Sequence, residues 1–128
     1  MSIRVLLVDD EKEFADYTAK RLRARGMEVE VAYSGRSALE SISGHPVDVV
    51  VLDLLMPGLD GFAVLREIKK ACPTAQVIML SGQVDQEGAA MGAALGAVDY
   101  ILKPCEFSIL LAAIRNADGE RPDRQGGD

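Results

Sequence analysis

The sequence predicts an α/β fold: five parallel strands in one sheet, with helices on both faces. Three observations point there. Short apolar runs recur along the chain, each is followed by a stretch with helical spacing, and Gly, Pro, Ser and Asp fall at the junctions. Strands apolar on both faces and separated by crossover helices belong to parallel sheets buried on both sides.

Taken in order, Ile3–Val8 (IRVLLV) is the first strand. A helix over Glu11–Arg25 carries Phe14, Tyr17 and Leu22 at helical spacing, with Gly26 placed to end it. Glu28–Ala32 (EVEVA) alternates and reads as a strand with one wetter face. Ser34 is positioned to N-cap a short helix bearing Ala38, Leu39 and Ile42, which stops at Gly44 and Pro46. Val47–Leu52 is the third strand, Met56-Pro57-Gly58 a turn, and Asp60 the N-cap of a helix to about Ala71 with Phe62, Leu65 and Ile68 inward. Gln76–Leu80, a small-residue helix over Gln86–Leu95, Val98–Leu102 and a final helix over Glu106–Ala117 complete the alternation. Residues 118–128 (DGERPDRQGGD) are polar and read as a tail or linker stub, leaving 1–117 as the domain.

Composition narrows the function. At 128 residues the chain suits a single core, and a formal net charge of −6 with no Lys/Arg cluster argues against nucleic acid or an anionic membrane as a direct partner. No stretch reaches the roughly 18 apolar residues that would cross a bilayer, and MSIRVLLVDDEKEF is too acidic after Val8 for a secretory signal. Cys72 and Cys105 are unpatterned and read as free thiols in a reducing cytoplasm. A single histidine, His45, excludes any multi-histidine metal site.

Chemistry is expected where the strands end, because open α/β sheets bind ligands beyond the carboxyl ends of their strands. There the sequence places Asp9-Asp10-Glu11, Asp53, Ser81-Gly82 and Lys103-Pro104. Clustered carboxylates repel one another and favour a hard divalent cation such as Mg²⁺. A carboxylate beside that cation can act as nucleophile toward a phosphoryl group, whose oxygens a lysine and a hydroxyl can then meet.

VDDE at 8–11, VLDLLMPGLDG at 51–61, SG at 81–82 and GAVDYILKP at 96–104 together resemble the receiver domain of two-component response regulators. The likeness runs from Ile3 to about Ala117. It implies a doubly wound, flavodoxin-like (βα)5 fold and a signalling phosphoacceptor that catalyses only its own phosphorylation and dephosphorylation. By that resemblance Asp53 accepts a phosphoryl group from a sensor histidine kinase or phosphotransfer protein. Asp9, Asp10, Asp53 and the backbone carbonyl of Leu55 would hold Mg²⁺, with Asp10 more direct than Asp9. Ser81 and Tyr100 would be the switch residues. Lys103 would contact the phosphoryl oxygen across a cis bond to Pro104. Output would pass to a downstream protein or effector domain through the fourth helix, fifth strand and fifth helix. Phosphorylation-dependent homodimers are common among relatives, and the oligomeric state stays open.

Plainer roles compete at several positions. Asp9 and Asp10 also suit the N-cap of the first helix, and Glu11 and Glu13 read as helical acids only. A Mg²⁺-dependent phosphohydrolase with an Asp nucleophile is the alternative from another class; such enzymes often need an acid two residues on, where this chain has Leu55. Gly88 and Gly92 weaken the fourth helix, which is therefore expected to be mobile or closely approached by a partner.

Overall fold

A computed structural model describes residues 2–56, 60–83 and 85–122. Five strands and five helices alternate: β1 (Arg4–Val8), α1 (Lys12–Ala24), β2 (Glu28–Ala32), α2 (Gly35–Gly44), β3 (Val49–Asp53), α3 (Gly61–Ala71), β4 (Gln76–Ser81), α4 (Gln86–Ala94), β5 (Ala97–Leu102) and α5 (Phe107–Gly119). All pairings are parallel, in the order β2-β1-β3-β4-β5, the doubly wound arrangement of flavodoxin-like folds.

Side chains along the three central strands alternate strictly between two cores. Leu6, Val8, Val50, Leu52, Val77 and Met79 meet Ala38 and Ile42 of α2 and Val64, Leu65 and Ile68 of α3. Val5, Leu7, Val49, Val51, Ile78 and Leu80 meet Ala15, Ala19 and Leu22 of α1 and Leu110 and Ile114 of α5. The central strands therefore read as unbroken apolar runs, while β2 at one edge alternates and β5 at the other is largely exposed. Between Val77–Ala97 and Ile78–Asp99 the pairing of β4 with β5 skips Val98, a bulge of one residue in β5.

Local signals explain where most helices begin and end. The Ser34 hydroxyl accepts from the Ser37 N–H at 3.1 Å and the Asp60 carboxylate from the Phe62 N–H at 3.0 Å, as N-caps do. Asp85 caps α4 in the same way, through the Gly88 N–H at 2.8 Å. Gly26 and Gly96 adopt φ of +88° and +107° just past α1 and α4, where a side chain would be strained.

Several expectations change. The capping position of α1 is Glu11, without a side-chain bond, while the Asp9 carboxylate accepts the Glu11 N–H at 3.0 Å. Tyr17 is exposed, stacked near the Arg21 guanidinium, because α1 approaches the sheet through Ala15, Thr18 and Ala19, and a bulkier inward face would hold it off. Ile109 likewise faces outward. The close neighbour of Gly92 is internal: a Cβ there would lie 2.2 Å from the Met79 sulfur. The last helix continues past Ala117 to Gly119. Arg121 beyond it is buried, paired with Asp48 at 2.6 Å and Asp118 at 3.0 Å, so residues 118–122 are structured although their composition reads as a tail. The Pro57-Gly58 turn and residues 123–128 lie outside the described residues.

Gly61 opens α3 against the end of β3, where a Cβ would come within 2.7 Å of Leu54 Cα and 2.8 Å of its carbonyl oxygen. Backbone cannot rotate away as a side chain does. Gly61→Ala is therefore expected to lower unfolding free energy in urea by about 1–3 kcal/mol. Gly44→Ala, with nothing near the new methyl, should leave it unchanged or slightly raised.

Candidate functional site

The site forms at the carboxyl edge of the sheet, beside the point where chain order reverses between β1 and β3. Asp53 is the last residue of β3 and Ser81 the last of β4. Asp9 extends β1 by donating its N–H to the Ala32 carbonyl at 3.0 Å, and Lys103 extends β5 through the Ser81 carbonyl at 2.8 Å. Alternation then decides direction. Asp9 follows Val5 and Leu7, and Asp53 follows Val49 and Val51, so both belong to the α1/α5 face. Ser81 follows Val77 and Met79 and belongs to the other.

Three carboxylates converge. Asp9, Asp10 and Asp53 each offer an oxygen within 4.8 Å of the others. Asp9 is fully buried and Asp53 nearly so, while Asp10 is half-buried. Lys103 Nζ lies 2.8 Å from Asp9 Oδ2, 2.5 Å from Glu11 Oε1 and 3.4 Å from Asp53 Oδ2. Its ammonium also stands 4.5 Å from the centre of the Phe14 ring. The Lys103-Pro104 bond is cis.

Burial pushes the Asp9 carboxyl above its usual range, and the Lys103 ammonium and Glu11 N–H only partly offset this. For Lys103, burial disfavours the charge, but Asp9, Glu11 and Asp53 outweigh it, so the ammonium holds its proton more tightly than usual. Asp9 Oδ2 has no aligned hydrogen-bond donor among the described residues, although the ammonium pairs with it electrostatically. A buried, underpaired carboxylate oxygen facing two more carboxylates suits a hard divalent cation that takes oxygen ligands.

The remaining expected residues differ in how close they lie to this centre. The Leu55 N–H donates to Asp53 Oδ1 at 3.0 Å, and its side chain is 54 % exposed at the mouth. A cleft of about 380 Å³ opens there, lined by Glu11, Phe14, Asp53, Leu55, Lys103 and Pro104. The Ser81 hydroxyl is engaged in its own turn, donating to the Gln83 carbonyl and accepting its N–H, both at 3.3 Å. Tyr100 lies on the exposed outer strand, 40 % accessible. Sequence reasoning missed two members, Glu11 and Phe14. An acid directly after two others at a strand end was the available signal for Glu11; for Phe14 there was none beyond its place one turn along α1.

The response regulator receiver domain model matches residues 5–115. The chain belongs to that family. Among curated relatives, the transcriptional regulatory protein CutR of Streptomyces coelicolor is 42% identical over 113 residues, 88% of this chain and 52% of CutR. The receiver thus spans about half the length of that relative. A CheY-like receiver domain protein from Methanospirillum hungatei superposes with a TM-score of 0.90 at 29% identity, covering 94% of this chain and 96% of that one. A response regulator from Burkholderia pseudomallei, whose structure holds a phosphorylated aspartic acid, a calcium ion and citrate, gives 0.85 at 25% identity over 93% and 70%. The receiver is a two-component signalling domain, and no described helix is long and apolar enough to cross a membrane.

Burial holds the Asp9 carboxyl above its usual range in spite of the Lys103 ammonium, so keeping it charged at neutral pH costs stability. Asp9→Asn keeps the oxygen that accepts the Glu11 N–H while removing the charge. It is expected to raise metal-free unfolding free energy in urea at neutral pH by on the order of 1 kcal/mol, and to weaken divalent-cation binding measured by calorimetry.

Proposed function

We propose that the receiver accepts its phosphoryl group on Asp53. The observation that carries this reading is the Asp53 carboxylate lining a cleft, clustered with Asp9 and Asp10 and 3.4 Å from the Lys103 ammonium. An Asp53 oxygen would bond to the phosphorus of a phosphohistidine on a sensor kinase or phosphotransfer protein. The P–N bond would break, the imidazole would leave with that electron pair, and an acyl phosphate would remain. Lys103, 3.4 Å from Asp53, would meet a phosphoryl oxygen, and Ser81 could do so once its hydroxyl leaves the Gln83 turn. When bound by Asp9, Asp10, Asp53 and the Leu55 carbonyl, Mg²⁺ would neutralise charge on the carboxylates and the transferring group. Catalysis would be confined to the domain's own phosphorylation and dephosphorylation, in the cytoplasm, where such kinases present their phosphohistidine.

Output would leave through α4, β5 and α5. Met91, Val98, Tyr100, Leu102 and Ile109 are exposed there, in keeping with a surface that a downstream protein, an effector domain or a second copy covers. Tyr100 and Ser81 would couple that surface to the site, since Ser81 pairs with Leu102 and Met79 with Tyr100 across the β4–β5 ladder.

Incubation with Mg²⁺ and a small acyl phosphate should add one phosphoryl group by intact mass, and Asp53→Asn should abolish it. Absence of the adduct, or its persistence in the variant, would refute the assignment. A second expectation concerns lifetime. Leu55 offers no polar group to orient water and overhangs the cleft, and Gln83, two residues after Ser81, is neutral. The acyl phosphate should be long-lived, and Leu55→Asn should shorten its half-life several-fold in a quench time course.

A further inference from the structure

The role of Lys103 depends on which oxygen its ammonium favours, and in the resting structure that oxygen is not on Asp53. Nζ lies 2.5 Å from Glu11 Oε1 and 2.8 Å from Asp9 Oδ2, but 3.4 Å from Asp53 Oδ2. The last separation is a weak contact for a charged hydrogen bond, whereas the first is a short one. Among the described residues the Glu11 carboxylate has no other partner to explain its orientation. Glu11 occupies the N-cap position of α1, where Ser, Thr, Asp or Asn would bond the helix, and its carboxylate makes no cap bond. It reaches across 92 residues of sequence to Lys103 instead.

We propose that Glu11 is a positioning residue that holds the Lys103 ammonium back from Asp53 in the resting state, so that an incoming phosphoryl group must compete with Glu11 for it. The inference rests on Asp53 being the acceptor. The ammonium already hydrogen-bonds Glu11 and Asp53, and it pairs electrostatically with Asp9 at 2.8 Å without an aligned N–H. A phosphoryl oxygen beyond Asp53 engages the ammonium fully only as one of those contacts is loosened. Asp9 is enclosed in the protein and Glu11 is 64 % exposed, so Glu11 is the partner that water can take over at least cost. The latch therefore stabilises the unphosphorylated state relative to the phosphorylated one. Its size is that of a largely exposed ion pair, a factor of roughly two to five.

Beryllofluoride with Mg²⁺, a stable mimic of the phosphoryl group, provides the test. Binding to the intact chain is followed by backbone amide shifts for the wild type, Glu11→Gln and Glu13→Gln. Glu13 removes the same charge from the same helix turn without touching Lys103. The latch predicts roughly two- to five-fold tighter binding for Glu11→Gln and no change for Glu13→Gln. In metal-free protein the Lys103 ¹⁵Nζ resonance should move in Glu11→Gln alone. Unchanged or weaker binding in Glu11→Gln, an equal gain in Glu13→Gln, or an unmoved ¹⁵Nζ resonance would each overturn the latch. Failure of the wild type to take up the mimic would overturn the Asp53 assignment as well, which separates the two conclusions.

Discussion

One ammonium sits among three carboxylates at the edge of the sheet, and the site depends on that imbalance of charge. Asp9 and Asp53 are almost fully enclosed, where an unpaired carboxylate would cost several kcal/mol. Lys103 offsets part of that cost while remaining closer to Asp9 and Glu11 than to Asp53. Compensation is incomplete, since burial still lifts the Asp9 carboxyl above its ordinary range. An incompletely compensated cluster retains attraction for more positive charge, of the kind a hard divalent cation would bring.

The rest of the molecule supplies rigidity for this arrangement. β1, β3 and β4 are buried on both faces, so the residues at their ends have little freedom to drift. Small residues let the helices lie close: Ala15 and Ala19 on α1, Gly61 at the start of α3 and Gly92 on α4. Rigidity is unevenly distributed. Gly92 is the only buried residue identified on α4, and β5 exposes Val98, Tyr100 and Leu102. The side of the sheet farthest from β2 is thus anchored least and left most apolar.

Much of this was legible in the sequence. Strand ends could be read because apolar runs stop at charged residues, and the acids, serine and lysine at those stops define the cluster. What escaped has identifiable causes. Glu11 resembled any acid at a helix start, and only the fold brings Lys103 to it across the sheet. Tyr17 looked like a packing residue because it falls at helical spacing with Phe14 and Leu22, yet the alanines beside it do the packing. Arg121 lay in a polar stretch, and its burial depends on Asp48, itself held by the Arg4 N–H at 2.9 Å. Such pairings depend on long-range neighbours that a local window does not contain.

The skipped residue in β5 has a consequence for handedness at the site. In an unbroken strand Ala97 and Ile101, four apart, would point the same way; here Ala97 joins the α2/α3 core and Ile101 the α1/α5 core. Val98 shifts the phase of everything after it by half a pleat. Lys103 inherits the phase of Ile101 and reaches Asp9, Asp53 and Phe14, while Leu102 and Tyr100 take the opposite side with Ser81. Without that half-step the lysine would point toward α4, and the tyrosine toward the carboxylates. One inserted residue therefore assigns the cation to the chemistry and the aromatic ring to the outer surface.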